Sequence, residues 1–456
     1  MSTRTVTRRS AGPSSATAQA QEFAFTAEDV ERISAGLNES PALRGARVAA
    51  WERFAATPMP TTKDEAWRRT ALTGLDVGAL RRGPVEGTPA DSDLLQPLTG
   101  DSRPALMVLR PGMPTESEGE EALAAQGVVF ADWRTAVERH GAVLEAHLGK
   151  GVSPDEGKFA ALAAAMAEDG VLVYVPAGVR VHTPLHSVLW APSRGRAHFT
   201  RVLVVVEDGA EVTYVHETAS PTVADGQALH AGTVELLVGA RAKLTFVELQ
   251  NWGEHVWNFT HERSRVGRDG RLDWIFGAVG SRLTKNFTSL DLEGEGAEGR
   301  MSGFYFADGV QHLDHDTQQN HGAPHTTSDL LFKGALVDRS RSVWQGMIYV
   351  APGAQKTDGY QANRNLLLSP QARADSIPGL EILADDVRCT HGATVGQLEQ
   401  EPIFYLMTRG LPRSEAERMV VDGFFAPVLE RIPFEQARER FRSMIDAKMA
   451  KPSPTG

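Results

Sequence analysis

The chain has 456 residues, 41% of them hydrophobic, and its 47 Lys and Arg against 58 Asp and Glu give a formal net charge of −11. An acidic balance of this kind excludes an extended nucleic-acid footprint, which needs a basic stripe, and no run of roughly 18 apolar residues marks a membrane span. The single cysteine rules out an internal disulfide and fits a reducing, cytoplasmic compartment, while the length predicts about three domains with ample core.

Residues 1–21 carry Arg4, Arg8 and Arg9 with several Ser and Ala and no acid. They share this composition with transit peptides but lack an amphipathic apolar face, and they read as a disordered tail. From 22 to 170 the period is helical: Thr26 with Asp29 reads as a helix start, and Trp51 with Phe54, Trp133 with Val137, and Leu162 with Met166 recur at helical spacing. Arg82-Gly83-Pro84 and Pro111-Gly112-Met113-Pro114 break this N-terminal region and predict a short irregular or α/β insert between them.

Between 171 and 396 the pattern changes to strands, as in Val171-Leu172-Val173-Tyr174-Val175 and Arg201-Val202-Leu203-Val204-Val205-Val206. Turn glycines recur ahead of alternating strands at Gly209, Gly239, Gly270, Gly296 and Gly353, at intervals of 30, 31, 26 and 57 residues. A near-fixed period with a doubled last step is the mark of stacked β coils, so a β-solenoid is expected. Evenly spaced turns in a β-sandwich or jelly roll would give a similar pattern.

From 397 to 456 the helical period returns. Gly410, Leu411 and Pro412 end one helix, Ser414 with Glu417 has the spacing of a capping box, and Pro433 opens a helix whose Phe434, Ala437, Phe441, Met444 and Ile445 share a face. Met419, Phe424, Phe425 and Val428 supply more apolar surface than so short a domain buries by itself, which suits packing on the solenoid or on a partner.

Two groups of residues carry possible chemistry. Cys389 and His391 lie two apart, so on a strand a thiol and an imidazole share one face; an inward apolar face of Val387, Cys389 and His391 would give the same alternation. His312, His315, His321 and His325 cluster with Asp314 and Asp316, a ligand set for zinc, iron or manganese in a metal-dependent β-fold enzyme. Gly322 and Pro324 interrupt that run, and His312 has the opposite strand parity to the others, so no single face collects all four. Gly294-Glu295-Gly296-Ala297-Glu298-Gly299 matches a dinucleotide fingerprint in letters only: its carboxylates would repel a pyrophosphate, and a strand follows where a helix is required. No Walker-type loop occurs, so any ATP dependence belongs to another subunit.

The runs Lys356 to Ser369, Ala374 to Ile382, Cys389 to Gly396 and Phe404 to Gly410, with Val175 to Val179 and the fainter Glu65-Ala66-Trp67-Arg68, resemble the SufB/SufD family of iron-sulfur cluster assembly proteins. The likeness covers most of the chain. Asn363 to Ser369 lacks the cysteine that SufB carries near there, and Gly392 stands where SufB tends to have Glu, so the likeness is to the SufD side of the family. The resemblance implies a right-handed parallel β-helix between helical terminal regions. It also implies a complex with a SufB-like paralogue and two copies of a SufC-like ABC ATPase.

By the same resemblance His391 is a ligand to a nascent iron-sulfur cluster at the SufB interface and the chain is a non-ATPase scaffold; the residues themselves offer Cys389 as a second candidate. The cluster is transient and shared, because a self-contained cluster takes about four thiolates and this chain has one. The segments with Phe404, Tyr405, Arg409, Gly410, Met419, Phe424 and Phe425 look like the SufC docking surface. A homodimer of the isolated chain, and a purely structural subunit that only recruits the ATPase, are the remaining readings.

Overall fold

A computed structural model describes residues 22–85, 105–432 and 434–450. The expected tail at 1–21, most of the insert before Pro111 and the helix-opening Pro433 lie outside the described residues. The N-terminal part contains α1 (Ala27–Leu37), α2 (Pro41–Ala56), β1 (Ala105–Leu109), β2 (Glu116–Glu118), α3 (Glu120–Ala124), β3 (Val129–Asp132), α4 (Trp133–His147) and α5 (Lys158–Met166). Eight coils of two strands each follow. The first four are β4 (Asp169–Val175) and β5 (Leu185–Trp190), β6 (Ala197–Val206) and β7 (Glu211–Ala219), β8 (Ala228–Val238) and β9 (Lys243–Asn251), β10 (Val256–Val266) and β11 (Arg271–Ala278). The last four are β12 (Leu283–Leu292) and β13 (Glu298–Ala307), β14 (His312–His321) and β15 (Thr327–Leu336), β16 (Arg341–Val350) and β17 (Asp358–Leu367), β18 (Arg373–Ile382) and β19 (Arg388–Gln397). The chain then ends in α6 (Gln400–Thr408), α7 (Arg413–Leu429) and α8 (Glu435–Met449).

From β4 onward successive strands alternate between two sheets, one ordered β19-β17-β15-β13-β11-β9-β7-β5-β1-β2 and the other β18-β16-β14-β12-β10-β8-β6-β4-β3, parallel throughout except for the antiparallel pairs β1–β2 and β3–β4. This is the expected solenoid, and β1 and β3 extend its sheets into the segment before residue 171. In-register partners of a parallel ladder project from the same face, so each column of side chains runs the length of the coil. Val173, Val204, Leu236, Phe246, Trp274 and Tyr305 fill the lumen.

The turns differ in one respect from the sequence pattern. Gly209, Gly296 and Gly353 have φ of 70°, 73° and 84°, the left-handed conformation for which glycine is suited. At the second and third turns that conformation belongs to Arg241 and Asp269 (φ 56° and 52°). There Gly239 is needed for close approach instead: a Cβ on it would stand 2.7 Å from the Asp208 amide nitrogen.

Why several strands read as unbroken apolar runs is clear from what covers their outer faces. Phe159, Leu162 and Met166 of α5 pack with Phe199, Leu203, Val205 and Phe259 on the outside of one sheet, with the Phe159 and Phe259 rings stacked 3.8 Å apart. Phe425, Val428, Phe441 and Ile445 of α7 and α8 pack with Val247, Ile275, Phe304 and Phe306 on the outside of the other. A strand covered on both faces gains nothing from polar alternation. Charged pairs fix α8 further: Arg440 reaches Glu217 at 2.6 Å and Lys448 reaches Asp308 at 2.6 Å.

The capping box expected at Ser414 does not form. The helix starts at Arg413 with Pro412 as its N-cap, and no side chain caps it; Arg413 pairs with Glu417 at 2.8 Å instead. Pro412, with φ −58°, already holds the entry geometry, so the hydroxyl is not required.

Candidate functional site

The C-terminal end of the solenoid is where its ladders stop. β19 pairs with β17 and β18 pairs with β16, and among the described residues no strand lies on the far side of either. Burial falls accordingly: Gly359, Gln361, Asn363 and Asn365 of β17 are buried, whereas their register partners Cys389, His391, Ala393 and Val395 of β19 are exposed or half-buried. The backbone edges of these two strands are templates for further pairing.

Cys389 and His391 share one face of β19, as the two-residue spacing predicts, and it is the face of their buried register partners Gly359 and Gln361. They occupy different environments. Cys389 is half-buried beside Ile348, Val350, Ala354 and Val387, and burial pushes its thiol above the usual range, which makes it a weak thiolate donor as it stands. His391 is exposed at the rim.

Below the rim the lumen is polar. The ring of His321 lies 2.7 Å from Thr326 Oγ1 and 2.8 Å from Ser328 Oγ, and burial pulls its pKa down to about 4, so it is a neutral imidazole. Gly359 separates it from the thiol: a Cβ at Gly359 would stand 3.3 Å from Cys389 Sγ and 3.4 Å from His321 Nε2. Gln361 Nε2 donates to Gly379 O at 2.8 Å, and Asn365 Nδ2 donates to Asn363 Oδ1 at 2.6 Å.

The histidine group expected to hold a metal is dispersed. His312 faces outward, 2.8 Å from Thr70 Oγ1, beside Asp314 and the buried Lys285, whose Nζ lies 3.0 Å from Asp314 Oδ1 and 3.8 Å from Asp316 Oδ2. His315 points into the lumen between Phe276 and Tyr305, with ring centroids at 5.0 and 5.3 Å. His321 is in the polar layer just described, and His325 sits exposed on a turn with φ 60°. Among the described residues no three His, Cys, Asp or Glu converge to hold a metal ion, which removes the basis for a metal-dependent enzyme built on this group. The cause is the parity break and the turn between 321 and 327, which send neighbouring residues to opposite sides of the sheet.

Of the candidate docking residues, Phe404 is 67% exposed, Tyr405 56% and Met419 47%, with Met407 also exposed. The Arg409 guanidinium stacks over the Tyr405 ring at 5.2 Å, and Gly410, with φ 92°, closes α6 in the left-handed conformation. Phe425 departs from expectation: it is fully buried against Phe304 and Phe306 and belongs to the core, while Phe424 is half-buried with its ring under Lys333 Nζ. The apolar excess of the C-terminal domain is therefore shared between the solenoid wall and an open face.

Residues 189–424 match the SUF system FeS cluster assembly, SufBD core domain, and residues 105–186 match the SufBD protein N-terminal region. The chain belongs to the SufB/SufD family. Among curated SufB/SufD relatives, the iron-sulfur cluster assembly protein SufD of Bacillus subtilis is 32% identical over 90% of this chain and 95% of its own length. The protein SufB of the same organism is 33% identical over 71% of this chain and 69% of its own, and a SufBD family protein of Staphylococcus epidermidis is 31% identical over the same shares. The near end-to-end match on the SufD side agrees with the reading from Asn363 to Ser369 and Gly392.

Several SufB/SufD-fold residues that matter here left little trace in the sequence. Gly277, mid-strand, leaves room for Phe304 and Phe441: a Cβ there would stand 2.5 and 2.7 Å from their rings. Lys285 is fully buried, and Glu217 is buried against Arg440 from 223 residues away. An unexpected glycine or charge inside an apolar strand is the only available signal. Among the described residues no helix is long and apolar enough to cross a membrane.

Proposed function

We propose that this chain is a non-enzymatic scaffold subunit of a SufBCD-type complex, supporting assembly of nascent iron-sulfur clusters at its contact with a SufB-like paralogue. The observation that carries this reading is the ending of both sheets in free strand edges with His391 exposed at the rim. With one cysteine in 456 residues, the chain offers iron at most an imidazole and a thiol, so the cluster, as cargo, takes its remaining ligands from the partner. Pairing along the strand edges would cover the half-buried Cys389 as well. The same edges would support a homodimer when the paralogue is absent.

Phe404, Tyr405, Met407 and Met419, with Arg409 and Gly410, form the docking face for a SufC-like ABC ATPase. α7 and α8 are fixed to the solenoid wall, so nucleotide-driven closure of two ATPase copies would move the two scaffolds against one another and shift the population of open interfaces. The assembly works in the cytoplasm, where thiols stay reduced.

The test is His391→Ala in cells together with co-purification. Loss of cluster maturation with the complex intact is expected. Normal maturation would remove His391 from the mechanism and leave a structural recruiter of the ATPase.

A further inference from the structure

The N-terminal helices do not close fully on the solenoid. Ala42 and Ala46 of α2 and Ala160 and Ala164 of α5 place small side chains at helical spacing where the two helices meet the outer face of β6 and β8. With Leu144 and Leu148 of α4 they wall a mostly apolar crevice of about 150 Å³. A space of that size takes a benzene-sized body.

The polar groups that line it are unequally satisfied. Glu235 of β8 is buried with both oxygens in use: Oε1 accepts from the Gly149 amide at 3.1 Å, and Oε2 from the Gly151 and Val152 amides at 2.7 and 3.2 Å. Glu145, exposed on α4, accepts from Ser40 Oγ at 2.5 Å. Arg201 of β6 is different. Its Nη2 donates to Ala164 O at 2.6 Å and its guanidinium lies 5.9 Å from the Trp133 ring, but its buried Nε has no hydrogen-bond partner. The neighbouring Glu39 is taken by Arg47 at 2.5 Å, and Arg201 forms no ion pair among the described residues. A backbone carbonyl answers one N–H and leaves the charge uncompensated; a carboxylate supplies both an acceptor and the missing anion. Burial raises the Glu235 carboxyl, which weakens its opposition to an incoming anion.

We propose that this crevice binds a compact monocarboxylate, its carboxylate against the Arg201 Nε–H and its apolar body between α2, α4 and α5. The site is separate from His391 and does not rest on the cluster-assembly reading. Benzoate is the probe, titrated calorimetrically into the full-length chain, with toluene and benzylamine as the uncharged and cationic counterparts. One benzoate per chain is expected, with a thermal midpoint that rises with benzoate, and with toluene and benzylamine binding at least about tenfold more weakly. Arg201→Gln should weaken benzoate by about tenfold or more. Ala46→Phe, on the exposed side of α2, should fill the crevice and block benzoate while the midpoint of the free protein stays within a few degrees, so it decides the matter should Arg201→Gln fail to fold. Wild-type protein that does not bind benzoate overturns the proposal. Benzoate binding that either folded variant preserves overturns it by placing the ligand elsewhere, and toluene or benzylamine binding as tightly as benzoate overturns it by leaving a hole without an anion site.

Discussion

Gln361 and His391 are register partners in the parallel ladder of β17 and β19 and project from the same face of one sheet, yet the first is sealed in the lumen and the second is exposed. One coil of stacking makes the difference. Truncation should therefore have opposite consequences at the two positions. Gln361→Ala removes the bond to Gly379 O and leaves a half-buried carbonyl without its donor, at about 1 kcal/mol. His391→Ala should change stability by about 0.5 kcal/mol or less while cluster maturation is lost. Urea unfolding of both variants beside the maturation assay checks the pair.

The exposed face of α6 and α7 should tolerate polar substitution without loss of fold. Phe404→Ser with Tyr405→Ser is expected to keep the thermal midpoint within a few degrees and to abolish co-purification of a SufC-like ATPase. Retained co-purification would move the docking surface elsewhere. Phe425→Ala should behave differently, costing about 3–5 kcal/mol because its ring lies in the core against Phe304.

The seat of α8 depends on an absent side chain. Gly277→Val would drive a branched side chain into the Phe304 and Phe441 rings, which meet edge to face at 4.2 Å. Overpacking of this kind costs roughly 1–3 kcal/mol. Faster proteolysis within residues 410–450, ahead of cleavage in the solenoid, is the expected readout, and an unchanged digestion pattern would contradict it.

Acid should unfold the protein through its lumen and inner walls. Burial holds His198, His216, His261 and His315 down to about 3 and His230 to about 4, against an ordinary value near 6.5. Each folded-state pKa lies below its unfolded value, so the stabilisation is complete above about pH 6.5 and is lost as pH falls from there toward 3–4, at up to roughly 1.4 kcal/mol per pH unit for each group. Glu248, Glu262, Asp169, Glu235, Asp314 and Asp316, raised by burial, act in the opposite sense, while His312 and His321, held down to about 3 and 4, add to the imidazoles and make seven against six. Midpoints measured from pH 8 to pH 4 should fall steeply below about 6, and His315→Phe should flatten that slope.

The sequence by itself determined the coil repeat, the helical flanks and the family, because each is written in local terms: a glycine-marked period, a switch between periods of two and 3.6, and long motifs in order. It also placed Cys389 and His391 on one face of a strand, since strand parity needs no tertiary information. The tertiary structure decided what those faces meet. Stacking buried Cys389 partway and left His391 at the rim, sent His312 outward and His315 inward, and buried Phe425 while exposing Phe404 and Tyr405. It brought Glu248 against Glu262 and Arg440 against Glu217 across separations that no local pattern records. Burial depends on how many coils lie above and below a residue, and that quantity exists only once the chain has folded.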